Sequence, residues 1–232
     1  MSMDRVSTFV FDLDGTLVDS DGFDAELYAT AVREVVGDDV EIDRSWQTYR
    51  QVTDAGVLAQ ILEELHVADG ERVAARVRER FGSMVRGYLA RGGACPAVPG
   101  AAEALEALRR RGCNVGIATG GWGHTARMKL ERAGILIDGL AMASSDDSSN
   151  RVQIMKRCLD RLGGDPARTV YVGDGPWDLD ASRKTGWAFI GVGEKLRGRC
   201  EHWIADFTDR AWHLYRDAYS PEHGHIPSTD VR

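Results

Sequence analysis

This 232-residue chain is short of several things, and each shortage closes off a class of protein. It has four cysteines, Cys95, Cys113, Cys158 and Cys200, far apart and with no Cys-x-x-Cys pair or Cys/His cluster at zinc spacing. A disulfide framework is not expected at that density, and reduced thiols fit better. No apolar run approaches the roughly 18 residues of a membrane-crossing helix. Asp4 and Asp12 interrupt the N-terminal stretch where a secretory leader needs an apolar core, so a cytoplasmic protein is expected. Positive charge is in deficit: 29 Lys plus Arg face 36 Asp plus Glu, a net of -7. Nucleic-acid binders take much of their affinity from neutralising phosphates with basic residues, so neither nucleic acid nor membrane is an expected partner. Glycine, by contrast, is plentiful at 26, which suits many tight turns between short elements.

What is present is patterned. Residues 8–11, Thr-Phe-Val-Phe, are β-prone and run directly into Asp12-Leu13-Asp14-Gly15. A run apolar on both faces suits a central strand of a buried parallel sheet. From about Phe23 to Arg91 the spacing turns helical: Phe23, Leu27, Ala31, Val32 and Val35, later Val57, Ile61, Leu62 and Leu65, then Val73, Val77, Phe81, Met84, Val85 and Leu89. Three or more amphipathic helices and no strand are expected there. Gly92-Gly93 and Pro96-Ala97-Val98-Pro99-Gly100 mark a hinge and a loop. Beyond them, helices over 101–111, 124–133, 151–162 and 178–185 alternate with strands over 114–119, 140–144, 169–173, 187–192 and 202–205. That alternation predicts an α/β fold, a doubly wound parallel sheet. The expected division is a core of residues 1–17 and 94–216, an inserted helical unit of 18–93, and a flexible tail of 217–232.

Ligands of such sheets gather beyond the carboxyl ends of the strands. Asp12 and Asp14 follow the first strand there, and Thr119, Gly120 and Gly121 follow the second. Arg151 opens a helix after a Ser/Asp loop, and Asp174 and Asp178 lie in Gly173-Asp174-Gly175-Pro176-Trp177-Asp178. Four carboxylates converge with one hydroxyl and one guanidinium. Carboxylates this close repel one another unless a cation lies between them, and an all-oxygen donor set favours Mg²⁺.

With these motifs the chain resembles the haloacid dehalogenase superfamily. Asp12-Leu13-Asp14-Gly15-Thr16 matches its first motif, Ala118-Thr119-Gly120 its second, and Gly173-Asp174-x-x-x-Asp178 its fourth. The helical insertion resembles that family's cap, and the likeness extends to about residue 216. The third motif is usually a lysine; Arg151 takes the matching place, with Lys156, more than a turn further on, as the alternative. The resemblance implies a Mg²⁺-dependent phosphatase acting on a small phosphorylated metabolite. Asp12 would be the nucleophile that forms an aspartyl phosphate, and Asp14 the general acid and base. Leu13 and Gly120, through their backbone N–H groups, would hold phosphoryl oxygens together with Thr119 and Arg151. Asp12, Asp14 through its carbonyl, and Asp174 would hold the metal, with Asp178 orienting its waters. Asp14 argues against dehalogenation, because halide leaves without a proton. The absence of lysine from 18–93 argues against a phosphonate-cleaving relative, which needs a Schiff-base lysine. A phosphomutase, or a phosphate-binding module without turnover, stays open, as does the oligomeric state.

Other residues carry plainer expectations. Asp146 and Asp147 read as solvated loop acids, His124 as a first-turn helix residue, and His66, His223 and His225 as surface groups. Trp122 and Trp177 are balanced between packing and pocket wall. Trp46, Tyr49, Arg50, Thr53 and Asp54 form a candidate substrate-facing loop, the alternative being that Thr53 or Asp54 caps the helix that follows.

Overall fold

The computed structural model describes residues 7–219. Its strands are β1 (Thr8–Phe11), β2 (Asn114–Ala118), β3 (Ala141–Ala143), β4 (Thr169–Gly173), β5 (Ala188–Val192) and β6 (His202–Ile204). Its helices are α1 (Asp24–Val36), α2 (Asp54–Glu64), α3 (Gly70–Ala90), α4 (Ala101–Arg110), α5 (Gly123–Arg132), α6 (Arg151–Leu162), α7 (Pro176–Thr185) and α8 (Arg210–Tyr219).

The six strands form one parallel sheet in the order β3-β2-β1-β4-β5-β6. Thr8 pairs with Asn114 on one side and Thr169 on the other, so β1, β2 and β4 end level with one another. The chain winds outward from β1 in both directions. β1 is therefore the switch point, where a crevice opens at the carboxyl edge. Every residue of β1 is buried, and its alternation sorts the two faces. Phe9 and Phe11 join a core with α4, α5 and α8, where Trp212 meets both rings edge-on. Val10 points into a second core with Ile154 and Met155 of α6 and Ala181 of α7. Burying such a side chain contributes about 1.5–3 kcal/mol, so a polar residue in place of Phe9, Val10 or Phe11 would be strongly destabilising.

Helices α1 to α3 lie between β1 and α4 in the chain and pack on one another. Phe23 stacks on Tyr88 at 4.3 Å, and Tyr28 meets Phe81 at 5.7 Å. Trp122, just before α5, contacts both Tyr28 and Phe81 and seats this helical unit over the carboxyl edge of the sheet.

The expected elements are present with small shifts. α7 begins at Pro176 rather than 178, because proline is well placed in a first helical turn. The strands expected over 140–144 and 187–192 are trimmed to the residues that pair. α8 was not anticipated. Its buried face rests on Trp212 and Tyr219, and the polar residues around them hide that stripe in sequence. It runs into the tail expected from 217, and residues 220–232 lie outside the described residues. No described helix is long and apolar enough to cross a membrane.

Candidate active site

The loop after β1 delivers two carboxylates to the crevice. Asp12 keeps the sheet register for one residue more, its N–H donating to the Val172 carbonyl at 2.8 Å. The Leu13 carbonyl then accepts from Thr16, Leu17 and Val18, closing a tight turn. Gly15 makes this possible in two ways. Its φ is +80°, and a Cβ there would lie 2.3 Å from Asp174 Oδ2. The turn leaves Asp12 only 3% exposed, with Leu13 fully buried.

Arg151 is positioned by its helix. Asn150 caps α6 by accepting from the Gln153 N–H at 3.1 Å, which fixes Arg151 as the first helical residue. Its Nη1 donates to Asp12 Oδ1 at 3.0 Å and to Asp178 Oδ1 at 2.7 Å, and its Nη2 donates to the Val52 carbonyl at 2.9 Å. Gly120 leaves room for this: a Cβ there would sit 2.4 Å from Arg151 Nη2. Lys156, the alternative, is exposed on the outer side of α6.

Asp178 lies in the first turn of α7, where Oδ2 accepts from the Gly175 N–H at 3.0 Å and Oδ1 from the Tyr171 hydroxyl at 3.1 Å. Asp174 Oδ2 pairs with Lys195 Nζ at 2.9 Å, whereas its Oδ1 is buried with no hydrogen-bond partner. One oxygen each from Asp12, Asp174 and Asp178 lie within 4.8 Å of one another. A buried oxygen without a partner beside two other carboxylates is what a hard divalent cation would satisfy, so these residues fit Mg²⁺. Burial and Asp178 push Asp12 well above the usual carboxylate range despite Arg151. The same two causes raise Asp174 to about 7 against Lys195. Both shifts mark carboxylates short of positive charge.

The Asp14 carboxylate does not join that group. It accepts from Ser20 Oγ at 2.5 Å and from Lys129 Nζ at 2.7 Å, and Lys129 also pairs with Asp24 at 2.5 Å. Lys129, on α5, is 1% exposed. Burial works against its charge, yet Asp14 and Asp24 more than compensate and hold it protonated. Neither Lys129 nor Lys195 was singled out in the sequence. A signal existed for Lys129: it follows Ala126 by one helical turn and precedes Leu130, on the buried face. Thr119 is buried and accepts from the Gly121 N–H at 3.0 Å, turning the chain after β2.

Above these groups lies a cavity of about 150 Å³, with Asp12, Asp14, Thr119 and Arg151 at its base. From the candidate loop, Trp46, Thr53 and Asp54 line it. Tyr49 and Arg50 do not; Tyr49 packs on Trp46 from outside and Arg50 pairs with Glu63. Thr53 also caps α2, accepting from the Gly56 N–H at 3.0 Å, so the stretch both lines the cavity and starts the helix. Trp177 lines the cavity, whereas Trp122 is a packing residue. Asp146 pairs with Arg78 and Asp147 with Arg161, away from the carboxylate group. His124 packs over Gly82 between α3 and α5.

Comparison with known proteins agrees with this geometry. The family model for haloacid dehalogenase-like hydrolases matches residues 6–186. The chain is 31% identical to "Probable phosphatase IndB" of Dickeya dadantii over 188 residues, 79% of each chain. It is 26% identical to a phosphoglycolate phosphatase of Synechococcus elongatus, over 87% of this chain and 93% of the relative. Among solved structures, a hydrolase from Pseudomonas syringae superposes with a TM-score of 0.73 at 24% identity, covering 90% of this chain and 98% of that one. A β-phosphoglucomutase from Clostridium difficile gives 0.71 at 18%, covering 93% and 97%, a likeness of fold. The chain belongs to the haloacid dehalogenase-like hydrolase family and is an enzyme of that family.

Proposed function

We propose that this enzyme is a phosphatase that hydrolyses a small phosphomonoester through a covalent phosphoryl group on Asp12. The observation that carries the reading is the pair of carboxylates on one loop, held apart by different cations: Asp12 by Arg151 and Asp14 by Lys129. Two carboxylates in two environments take two roles. Asp12 attacks phosphorus while the ester P–O bond breaks, and Asp14 gives a proton to the departing oxygen. Asp14 then takes a proton from water, whose oxygen attacks the same phosphorus and frees Asp12 and inorganic phosphate. Arg151 anchors Asp12 and supplies positive charge to the phosphoryl oxygens, with Thr119 and the N–H groups of Leu13 and Gly120. Asp12, Asp174 and the Asp14 carbonyl would hold Mg²⁺, which when bound neutralises the charge of the transferring group. Asp178 orients Arg151 and would orient waters on a bound metal. Residues 18–93 act as a cap over a core of 1–17 and 94–216. The four free thiols support a reducing, cytoplasmic setting.

The test is phosphate release from an aryl phosphate. Asp12→Asn and removal of Mg²⁺ by EDTA should each abolish it. Arg151→Ala should lose on the order of 100-fold or more in kcat/KM, the scale of a lost charge-stabilising donor, and Lys156→Ala little. Turnover that survives Asp12→Asn would refute the covalent reading, and a worse Lys156→Ala would refute the role of Arg151.

A further inference from the structure

The charges of the site are unevenly shared. Three cations reach the crevice, and each lies between two carboxylates: Arg151 between Asp12 and Asp178, Lys129 between Asp14 and Asp24, and Lys195 between Asp174 and Asp21. Asp54 adds a seventh carboxylate, its Oδ2 accepting from the Trp122 N–H at 2.9 Å. Among the described residues, Arg151 and Lys195 are the only Lys or Arg side chains that line the cavity; Arg151 is held by Asp12, Asp178 and the Val52 carbonyl, and Lys195 by Asp174 and Asp21.

The end of the cavity where the leaving group of a substrate must lie is built by the helical unit. Tyr28 and Trp46 form its aromatic wall, their ring centroids 6.3 Å apart, and Val52 and Val57 add apolar surface. Trp46 holds a left-handed backbone, φ 62°, an uncommon conformation for a bulky residue that the loop over 43–49 fixes by closing on the Asp43 side chain. The polar groups at this end are Asp24, Thr53 and Asp54; Thr53 is occupied, accepting from the Gly56 N–H and donating to the Ser149 carbonyl. Lys129 pairs with Asp24 there but is buried and shared with Asp14, so no uncommitted cation faces this end.

We propose, resting on the phosphatase reading, that the leaving-group end of this cavity accepts small uncharged or ammonium-bearing alcohols and rejects leaving groups that carry a carboxylate. Aromatic faces and carboxylates attract an ammonium group and tolerate a hydroxyl. A carboxylate there would lose its water beside Asp24 and Asp54, two acidic groups, with no uncommitted cation to pair with, a form of discrimination built against the wrong ligand. This separates the chain's substrate class from phosphoglycolate, whose leaving group is an acid.

The experiment compares three esters with one two-carbon skeleton: 2-hydroxyethyl phosphate, phosphoethanolamine and phosphoglycolate, with aryl phosphate and Asp12→Asn as controls. The two non-acidic esters should exceed phosphoglycolate in kcat/KM by on the order of 100-fold, the scale of a desolvated like-charge contact. Asp54→Asn, which keeps an acceptor for the Trp122 N–H, should narrow that gap by raising phosphoglycolate turnover. Asp12-dependent turnover with phosphoglycolate equal or preferred would overturn this inference and leave the phosphatase reading standing. An absence of Asp12-dependent turnover on any ester would overturn both. An unchanged ratio in Asp54→Asn would remove Asp54 from the discrimination.

Discussion

Lys129 carries the heaviest burden of any single residue in the site. It is buried, and its ammonium group joins Asp14, on the loop after β1, to Asp24, at the start of α1. Replacing a buried ion pair with a matched apolar group can be nearly neutral, but removing one partner leaves charge stranded, at about 3–5 kcal/mol. Lys129→Met should therefore lower Tm by several degrees, and kcat should fall because Asp14 loses its fixed position. Calorimetry and steady-state kinetics on the same sample would check it. Adding Asp24→Asn should recover part of the stability, and little of the kcat if Asp14 is the acid and base. Wild-type Tm in Lys129→Met would show that water relieves the pair and that the clamp is unimportant.

At the scale of elements, two helix starts do the positioning, and both use the same device. Asn150 caps α6 and so sets Arg151 against Asp12; Thr53 caps α2 and so sets Asp54 at the cavity wall. The start of α2 is also tied to the core: the Thr53 hydroxyl donates to the Ser149 carbonyl at 2.7 Å and the Ala55 N–H donates to Ser145 Oγ at 2.9 Å. Losing either cap costs about 1 kcal/mol of stability. The kinetic signatures should differ. Asn150→Ala should lower kcat, because Arg151 acts on the phosphoryl group; Thr53→Ala should chiefly raise KM, because it loosens the unit that covers the substrate. Equal effects on both parameters would contradict that division of labour.

For the whole molecule, the crowding of carboxylates makes stability depend on pH and metal. Burial raises Asp24 to about 6, Asp174 to about 7 and Asp54 to about 8, and it raises Asp12 as well. A carboxylate raised on folding binds more protons in the folded chain than in the unfolded one. Its contribution is present below the unfolded value and is lost as pH rises through the folded value. His124, lowered chiefly by burial, works in the opposite sense, but it is one group against four. In EDTA the Tm should therefore fall between about pH 5 and about pH 8. Mg²⁺ binds the deprotonated carboxylates, so the Tm gain on adding it should be larger at the higher pH. Equal gains at both ends would mean that Asp12 and Asp174 are not the metal's ligands.

Much of this was written locally. The run 8–11, apolar on both faces, the helical spacing of 23–89 and the strand–helix alternation after Gly100 determine the α/β architecture, because each depends only on which faces of an element are apolar. The loops Asp12–Thr16, Thr119–Gly121 and Gly173–Asp178 were legible because a tight turn at a strand end needs glycine and leaves polar side chains exposed to a ligand. Tertiary structure alone decided the pairing of charges. Lys129 meets Asp14 across 115 residues of chain, Arg151 meets Asp12 across 139, and Lys195 meets Asp174 across a strand. A lysine in a helix has no local mark of its partner, since Coulomb attraction in a buried site depends on distance in space and on excluded water, neither of which is a property of neighbouring residues. Sequence thus determined where the carboxylates stand, and folding decided which cation each one holds.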